Sequence, residues 1–231
     1  MICVLPVAFQ PVRFSDKVLQ ASGITVVPVG MWMIIAAPAK IDHNSEEVKK
    51  KVAQLKAYGN IPACVGEDKI ALQAAYTVAV ENWMYENEID AAAIQCWDAL
   101  QKNYGCSTCV TMSMLGERLI PCACESDVAG AVSMYALMLA TGNPSALLDW
   151  NNNFANEKNK CVCTHCGNYP KSFIKNDIEI SSLDVLGTVL GQVDTFGAVK
   201  GKVAEGPFSF FRISTDDTLG LIKGYVGEGK F

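Results

Sequence analysis

Three short strings each deliver one side chain able to hold a metal ion: Glu125 in CACESD, Asp149 in LLDWNNNF and His165 in CVCTHCGNYP. Each string opens as an apolar or Cys-rich run that reads as a buried strand, and sets its polar residue at or near the end. Two carboxylates and one imidazole are hard oxygen and nitrogen donors, suited to Mn²⁺ or Mg²⁺ rather than to the soft ions that thiolates select. The chain has only two histidines, and the other, His43, sits in a solvated Asp-His-Asn turn with no role assigned.

Each residue has a plainer reading. Glu125 follows the strand-like run 121–124 and precedes a helix, where an acid is favoured by the helix dipole. Asp127 fills that role better, because Ser126-Asp127 opens the helix directly. Asp149 follows two leucines, and an ionised carboxylate buried among apolar neighbours needs a cation or a hydrogen-bond network. The asparagines after it, Asn151 among them, read as a turn or as groups that bind substrate. His165 alone would ordinarily be a satisfied structural histidine. Trp97, at the carboxyl end of the run 91–96, either lines the same cleft or packs in the core. Lys171 and Ser172 are within reach of substrate hydroxyls in the same way as many polar loop residues.

The cysteines support a rival chemistry. Cys106-x-x-Cys109 and Cys163-x-x-Cys166 would make a four-thiolate zinc site if the fold joined them. Cys106 and Cys109 at a helix start could also be a redox pair. Each pair alone is a weak signal, and the long intervening segment exceeds the spacing of a zinc ribbon.

The elements that must position these groups alternate through the first half of the chain. Residues 24–29 read as a β-branched strand. Residues 45–58 read as an amphipathic helix with Ser45 as N-cap and Val48, Val52 and Leu55 on its apolar face. Residues 69–85 continue as a second, more buried helix. Residues 91–96 and 121–124 are short buried strands, and 108–119 and 127–140 are helices, the last ended by Thr141-Gly142-Asn143-Pro144. Strands separated by helices predict a parallel-sheet α/β domain, Rossmann-like, over residues 1–143 and carrying Glu125. Residues 144–231 predict a β-rich, barrel-like domain carrying Asp149 and His165. Residues 147–154 and 161–165 are strand-like, and no helical period survives after Ile178. Gly187, Gly191, Gly197, Gly201 and Gly206 are spaced like bends and bulges.

Bulk composition narrows the class. Half of the 231 residues are hydrophobic and 19% are charged, which suits a folded chain rather than a disordered one. The net charge is −5 and the bases are scattered, which leaves no nucleic-acid footprint. No apolar run reaches the length of a membrane span, and the opening MICVLPVAFQPVRF lacks the pattern of a signal peptide. With that opening, 10 cysteines predict free thiols in a reducing, cytoplasmic setting.

At these strings the chain resembles the L-fucose isomerase and L-arabinose isomerase superfamily, especially its shorter fucose-isomerase-like proteins. The matching segments are VRFSDKVLQASGITVV (12–27), AAAIQCWDALQ (91–101), TMSMLGERLIPCACESDVAGAVSMYAL (111–137) and LLDWNNNFANEKNKCVCTHCGNYPKSF (147–173). The resemblance implies a middle α/β domain, a β-rich barrel-like domain after it, and a Mn²⁺ centre between them, with Mg²⁺ or Co²⁺ as substitutes. Glu125 corresponds to the family's first metal-binding glutamate, Asp149 to its second acidic ligand, and His165 to the histidine that follows it in the arabinose enzymes. It further implies that the two acids move protons between an aldose and a ketose through a cis-enediol, in an enzyme of carbohydrate metabolism that works as a homo-oligomer. Family members carry a further α/β domain before this region. They also continue past GYVGEGKF to a His-rich strand that supplies another metal ligand. The expectation is therefore a chain truncated at both ends, with an incomplete barrel. The alternative to an active isomerase is a catalytically incomplete piece, or a non-catalytic subunit or scaffold of the same family.

Overall fold

The computed structural model describes residues 1–2, 5 and 7–231 of the chain. Near the N-terminus, the Ser15 hydroxyl accepts the Val18 N–H and starts helix α1 (Asp16–Ala21). Helix α2 (Met31–Ala39) follows. Neither helix is announced by the sequence pattern. The β-branched run 24–29 forms no strand; Val29 makes a single parallel bridge to Ile2. Helix α3 (Glu46–Tyr58) begins as its sequence predicts, with Ser45 Oγ accepting the Val48 N–H at 3.3 Å and with Val48 and Leu55 buried. Helix α4 (Glu67–Glu86) is buried through its middle, which is why it is rich in Ala and Val.

Strand β1 (Ala92–Ala93), helices α5 (Ala99–Asn103) and α6 (Cys109–Glu117), strand β2 (Cys122–Ala123) and helix α7 (Val128–Thr141) complete the α/β half. β1 and β2 pair in parallel, Ala92 with Cys122 and Ala93 with Ala123. Ile2 bridges Ile94 in parallel on one side and Val29 on the other. The parallel geometry is therefore present at the centre of the molecule, but as very short segments rather than the long sheet of a Rossmann fold. Asp127 caps α7 by accepting the Gly130 N–H at 2.7 Å, and Gly142 ends the helix at φ 67°. Both ends are as the sequence predicts.

After Pro144 the chain forms antiparallel pairs. β3 (Asp149–Phe154) pairs with β4 (Glu157–Thr164), β5 (Glu179–Ser182) with β6 (Phe196–Lys200), and β7 (Pro207–Asp216) with β8 (Leu221–Lys230). Among the described residues no ladder joins one pair to the next, so no barrel closes. Two expectations need correcting here. The runs 147–154 and 161–165 form an outlying hairpin that is mostly exposed, not a pair of buried strands. Helix α8 (Asp184–Leu190) also interrupts a region where no helical period is visible. Its helical state comes from packing: Leu183, Leu186 and Leu190 fall on one side and meet the central apolar cluster.

The two halves share their cores. Val48, Leu55, Ile70 and Val110 pack with Ile178, Ile180, Phe196 and Val199, and α7 packs against Ile213 of β7. Gly197 is the extra residue of a bulge between the pairs Ser182–Phe196 and Ser181–Ala198, at φ +118°. A Cβ there would meet the Gln73 side chain and lie 2.6 Å from the Ser107 carbonyl oxygen. Gly197→Ala is therefore expected to lower unfolding free energy by about 2–4 kcal/mol, read from the urea midpoint, through backbone strain plus overpacking. A change within a few tenths of a kcal/mol would contradict the bulge geometry.

Candidate metal centre

Two backbone devices bring the three sequence-predicted residues together. Beyond β2 the chain enters the left-handed region at two consecutive non-glycine residues, Glu125 (φ 63°) and Ser126 (φ 56°). The turn is closed by Ser126 N–H donating to Ile94 O at 3.1 Å and Asp127 N–H donating to Cys124 O at 3.0 Å. Such a conformation costs of order 1 kcal/mol per residue, and it swings Glu125 out at the carboxyl end of the parallel strands. The second device is the β3–β4 register. Asp149, first in β3, lies opposite Thr164, last in β4, so His165 emerges beside it.

The result is a cluster in which one ligand atom from each of Glu125, Asp149 and His165 lies within 4.8 Å of the others. Glu125 is half-buried and Asp149 is exposed, so Asp149 sits at the rim rather than in the apolar interior its sequence context suggests. Burial pushes the Glu125 carboxyl up to about 7; His165 opposes the shift and Asp149 adds to it. For His165, burial works to lower the pKa, but the Cys166 sulfur and the two carboxylates outweigh it and the pKa is raised.

The imidazole reports best on what the cluster can hold. Nε2 is buried and has no hydrogen-bond partner among the described residues. Nδ1 lies 2.9 Å from the Cys166 backbone N–H and 3.5 Å from the Cys166 sulfur. With Nδ1 bare it accepts from the N–H, and Nε2 carries the proton. With Nδ1 protonated it donates to sulfur, and the Nε2 lone pair is free for a cation. Two carboxylate oxygens and one unpartnered buried nitrogen fit a hard or borderline divalent ion.

Two cavities meet at the cluster. Glu125 and Asp149 line a smaller one of about 580 Å³, and His165 lines a larger one of about 1350 Å³. Trp150 and Tyr169 line both. Tyr169, at the end of the string that carries His165, is a candidate that no spacing in the sequence singles out. Its hydroxyl is buried without a partner among the described residues, as are both polar atoms of the Asn168 amide. Burial pushes the Tyr169 phenol well up, so it stays protonated as a donor.

The remaining sequence candidates fall elsewhere. Trp97 packs edge-on to Phe9 at 5.7 Å within the central cluster and lines neither cavity. Asn151 shares the Asp149 face of β3 by alternation and donates to Thr164 Oγ1 at 2.9 Å. Lys171 Nζ donates to the Tyr58 carbonyl at 3.0 Å, and the Ser172 N–H donates to Glu117 at 2.8 Å, which ties that segment to the helices. The two CxxC pairs do not form one site. Cys163 lies 3.6 Å from Cys161 on the exposed hairpin, and Cys106 is buried apart.

The chain is thus a mixed α/β protein that gathers two carboxylates and an imidazole beside two cavities. Residues 163–231 match the family model described as L-fucose isomerase, C-terminal domain. A sulfoquinovose isomerase of Clostridium sp. (strain MSTE9) is 33% identical over 167 residues, 71% of this chain and 36% of that protein. Sulfoquinovose isomerases of Alkalicoccus urumqiensis and Priestia megaterium (strain ATCC 12872 / QMB1551) are 34% and 32% identical over 41% and 44% of this chain, and 21% and 23% of theirs. The chain thus spans between about a fifth and a third of the length of these curated relatives. By these matches residues 163–231 are similar to the C-terminal domain of L-fucose isomerase, and 71% of the chain is similar to part of a sulfoquinovose isomerase.

Proposed function

We propose that this chain carries the centre of an aldose–ketose sugar isomerase, assembled at the seam between an α/β half (1–143) and a strand-rich half (144–231). The observation that carries the reading is the convergence of Glu125, Asp149 and the unpartnered His165 Nε2 in a chain related to L-fucose isomerases. In this reading the three residues hold Mn²⁺ or a similar divalent ion, which supplies polarisation of a carbonyl and a neighbouring hydroxyl when bound. The names of the relatives point to a sulfosugar such as sulfoquinovose as the first substrate to try, with L-fucose as the second.

The chain's own groups then divide the proton work. Isomerisation moves a proton from C2 to C1 of an open-chain aldose, and another from the O2 hydroxyl to O1, through a cis-enediol. Glu125, recessed at the strand end, takes the C2 proton and returns it to C1. Asp149, at the exposed rim, exchanges the proton between O1 and O2. Tyr169, protonated and facing both cavities, donates to a substrate oxygen. No covalent nucleophile is required. Free thiols at the described cysteines support a cytoplasmic setting, and among the described residues no helix is long and apolar enough to cross a membrane. An oligomer in which other chain segments cover the open hairpins completes the proposal.

The test is proton NMR of sulfoquinovose and of L-fucose in D₂O with the purified chain and Mn²⁺. Deuterium gain at C2 of one sugar, with its ketose appearing, is expected. A folded, Mn²⁺-loaded chain that exchanges neither sugar would refute the reading. Tyr169→Phe is expected to slow the responding sugar by about 10- to 100-fold without changing Mn²⁺ affinity.

A further inference from the structure

Next to His165, three thiols converge. The sulfurs of Cys96, Cys124 and Cys166 all lie within 4.8 Å of one another, with 3.9 Å between Cys124 and Cys166. Cys109 packs in the same apolar cluster as these residues, outside the tight group of three. Cys96, Cys109 and Cys124 are fully buried, Cys166 is partly exposed and lines the larger cavity, and none is in a disulfide. A buried cysteine usually acts as a small apolar side chain, which accounts for Cys106 and Cys122, each apart from the group. That explanation does not account for three sulfurs drawn from three separate segments to one point.

We propose that Cys96, Cys124 and Cys166 form a thiolate site for a soft divalent cation, represented by zinc, with Cys109 of the same apolar cluster closing in as the fourth donor when the ion binds. Tetrahedral zinc with bonds of about 2.3 Å holds its sulfurs about 3.8 Å apart, and Cys124 and Cys166 stand 3.9 Å apart. A disulfide needs about 2.0 Å, so the two sulfurs are unbonded, at a separation that an ion can take up without moving them far. The site is distinct from the carboxylate centre in donor softness, and His165, with Nδ1 3.5 Å from the Cys166 sulfur, borders it. Cys166, facing the cavity, provides the route of entry for the ion.

A site closed by four sulfurs is structural. Here the ion ties the exits of β1, β2 and β4 and the start of α6 to one point. It therefore pins the peptide that carries His165, adjacent to Cys166, and holds the imidazole against the carboxylates.

The test is a Co²⁺ titration of the metal-free, phosphine-reduced chain. A near-ultraviolet thiolate-to-cobalt band that saturates at one equivalent and is displaced by Zn²⁺ is expected. Cys124→Ala should abolish it. So should Cys166→Ala, a substitution at the most exposed member of the group and so the one least able to unfold the chain, checked by far-ultraviolet circular dichroism. Glu125→Gln should leave the band intact, so failure here and failure of the carboxylate centre are separable. Three results would each overturn the proposal. One is the absence of a band in the wild type. Another is a band that survives Cys124→Ala but vanishes in Cys161→Ser, which would place the ion on the exposed Cys161–Cys163 pair. The third is a Cys124–Cys166 disulfide in the freshly isolated protein.

Discussion

Replacing Glu125 by glutamine is expected to abolish Mn²⁺ binding while making the metal-free protein more stable, two effects of opposite sign from one substitution. The amide keeps the shape and can still accept a hydrogen bond, but it removes one of the two anionic oxygens in the cluster. Loss of a supporting partner around a metal ligand already weakens affinity by about 10–100-fold, and loss of a charged ligand should weaken it by about 100-fold or more. Asp149→Asn should match it, since its carboxylate is the other anion. The stability change follows from burial. Glu125 is held near 7 in the folded chain, above its ordinary 4.5. A carboxyl raised in this way favours the fold while protonated. That contribution is complete below about 4.5 and is lost as pH rises through about 7. The wild type should therefore lose stability across that window without metal, and Glu125→Gln should show a flatter profile. Calorimetry with Mn²⁺ and urea unfolding across pH measure both effects. Retained tight binding would remove Glu125 from the centre, whereas lost binding with lost stability would mean only that the variant is misfolded.

How much of this was readable in advance depends on the range of the interactions. Local signals read well: Ser45 at the start of α3, Asp127 at the start of α7 and Gly142 at its end are contacts within one helical turn. The three members of the carboxylate–imidazole cluster were also legible, because each sits at the end of a distinctive run. Their meeting depends on the left-handed turn at Glu125 and the β3–β4 register, which no spacing in the sequence reveals. The same limit explains the thiols. CxxC spacing groups Cys106 with Cys109 and Cys163 with Cys166, whereas the fold gathers Cys166 with Cys96 and Cys124 from neighbouring strand ends. Trp97 at a strand's carboxyl end and Leu147-Leu148 before Asp149 were ambiguous for a related reason. An apolar residue at such a place packs into the core or lines a cleft, and only tertiary contacts decide between them. Helix α8 is the extreme case, with β-branched residues and a glycine held helical by three leucines on the core.

The second large effect is expected away from the ligands, at Asp127. Asp127→Ala should lower unfolding free energy by about 3–5 kcal/mol, because it removes the buried member of an ion pair and a helix cap together. The carboxylate accepts the Gly130 N–H at 2.7 Å and pairs with both Nη atoms of Arg212, the longer contact being 3.0 Å. Arg212 belongs to β7, and the next residue, Ile213, donates its N–H to Ser133 Oγ of α7 at 2.9 Å. These contacts are the polar part of the joint that fastens the β7–β8 hairpin to the helix beginning just after Glu125. With the acid gone, Arg212 loses its partner against α7, and the hairpin loses its orientation along with its attachment. Asp127→Asn separates the two roles, since asparagine still caps a helix but cannot neutralise a guanidinium. It should cost less than alanine and more than the cap alone, which is worth about 1 kcal/mol. Arg212→Leu tests the pair from the other side. Coupling of about 1 kcal/mol or more between Asp127→Asn and Arg212→Leu in a double-mutant cycle would confirm a working ion pair, and additivity would reduce Asp127 to its cap. Because the smaller cavity is lined by Asp127 and Arg212 as well as by Glu125 and Asp149, loosening this joint should also weaken Mn²⁺ binding in Asp127→Ala, with the carboxylate cluster itself untouched.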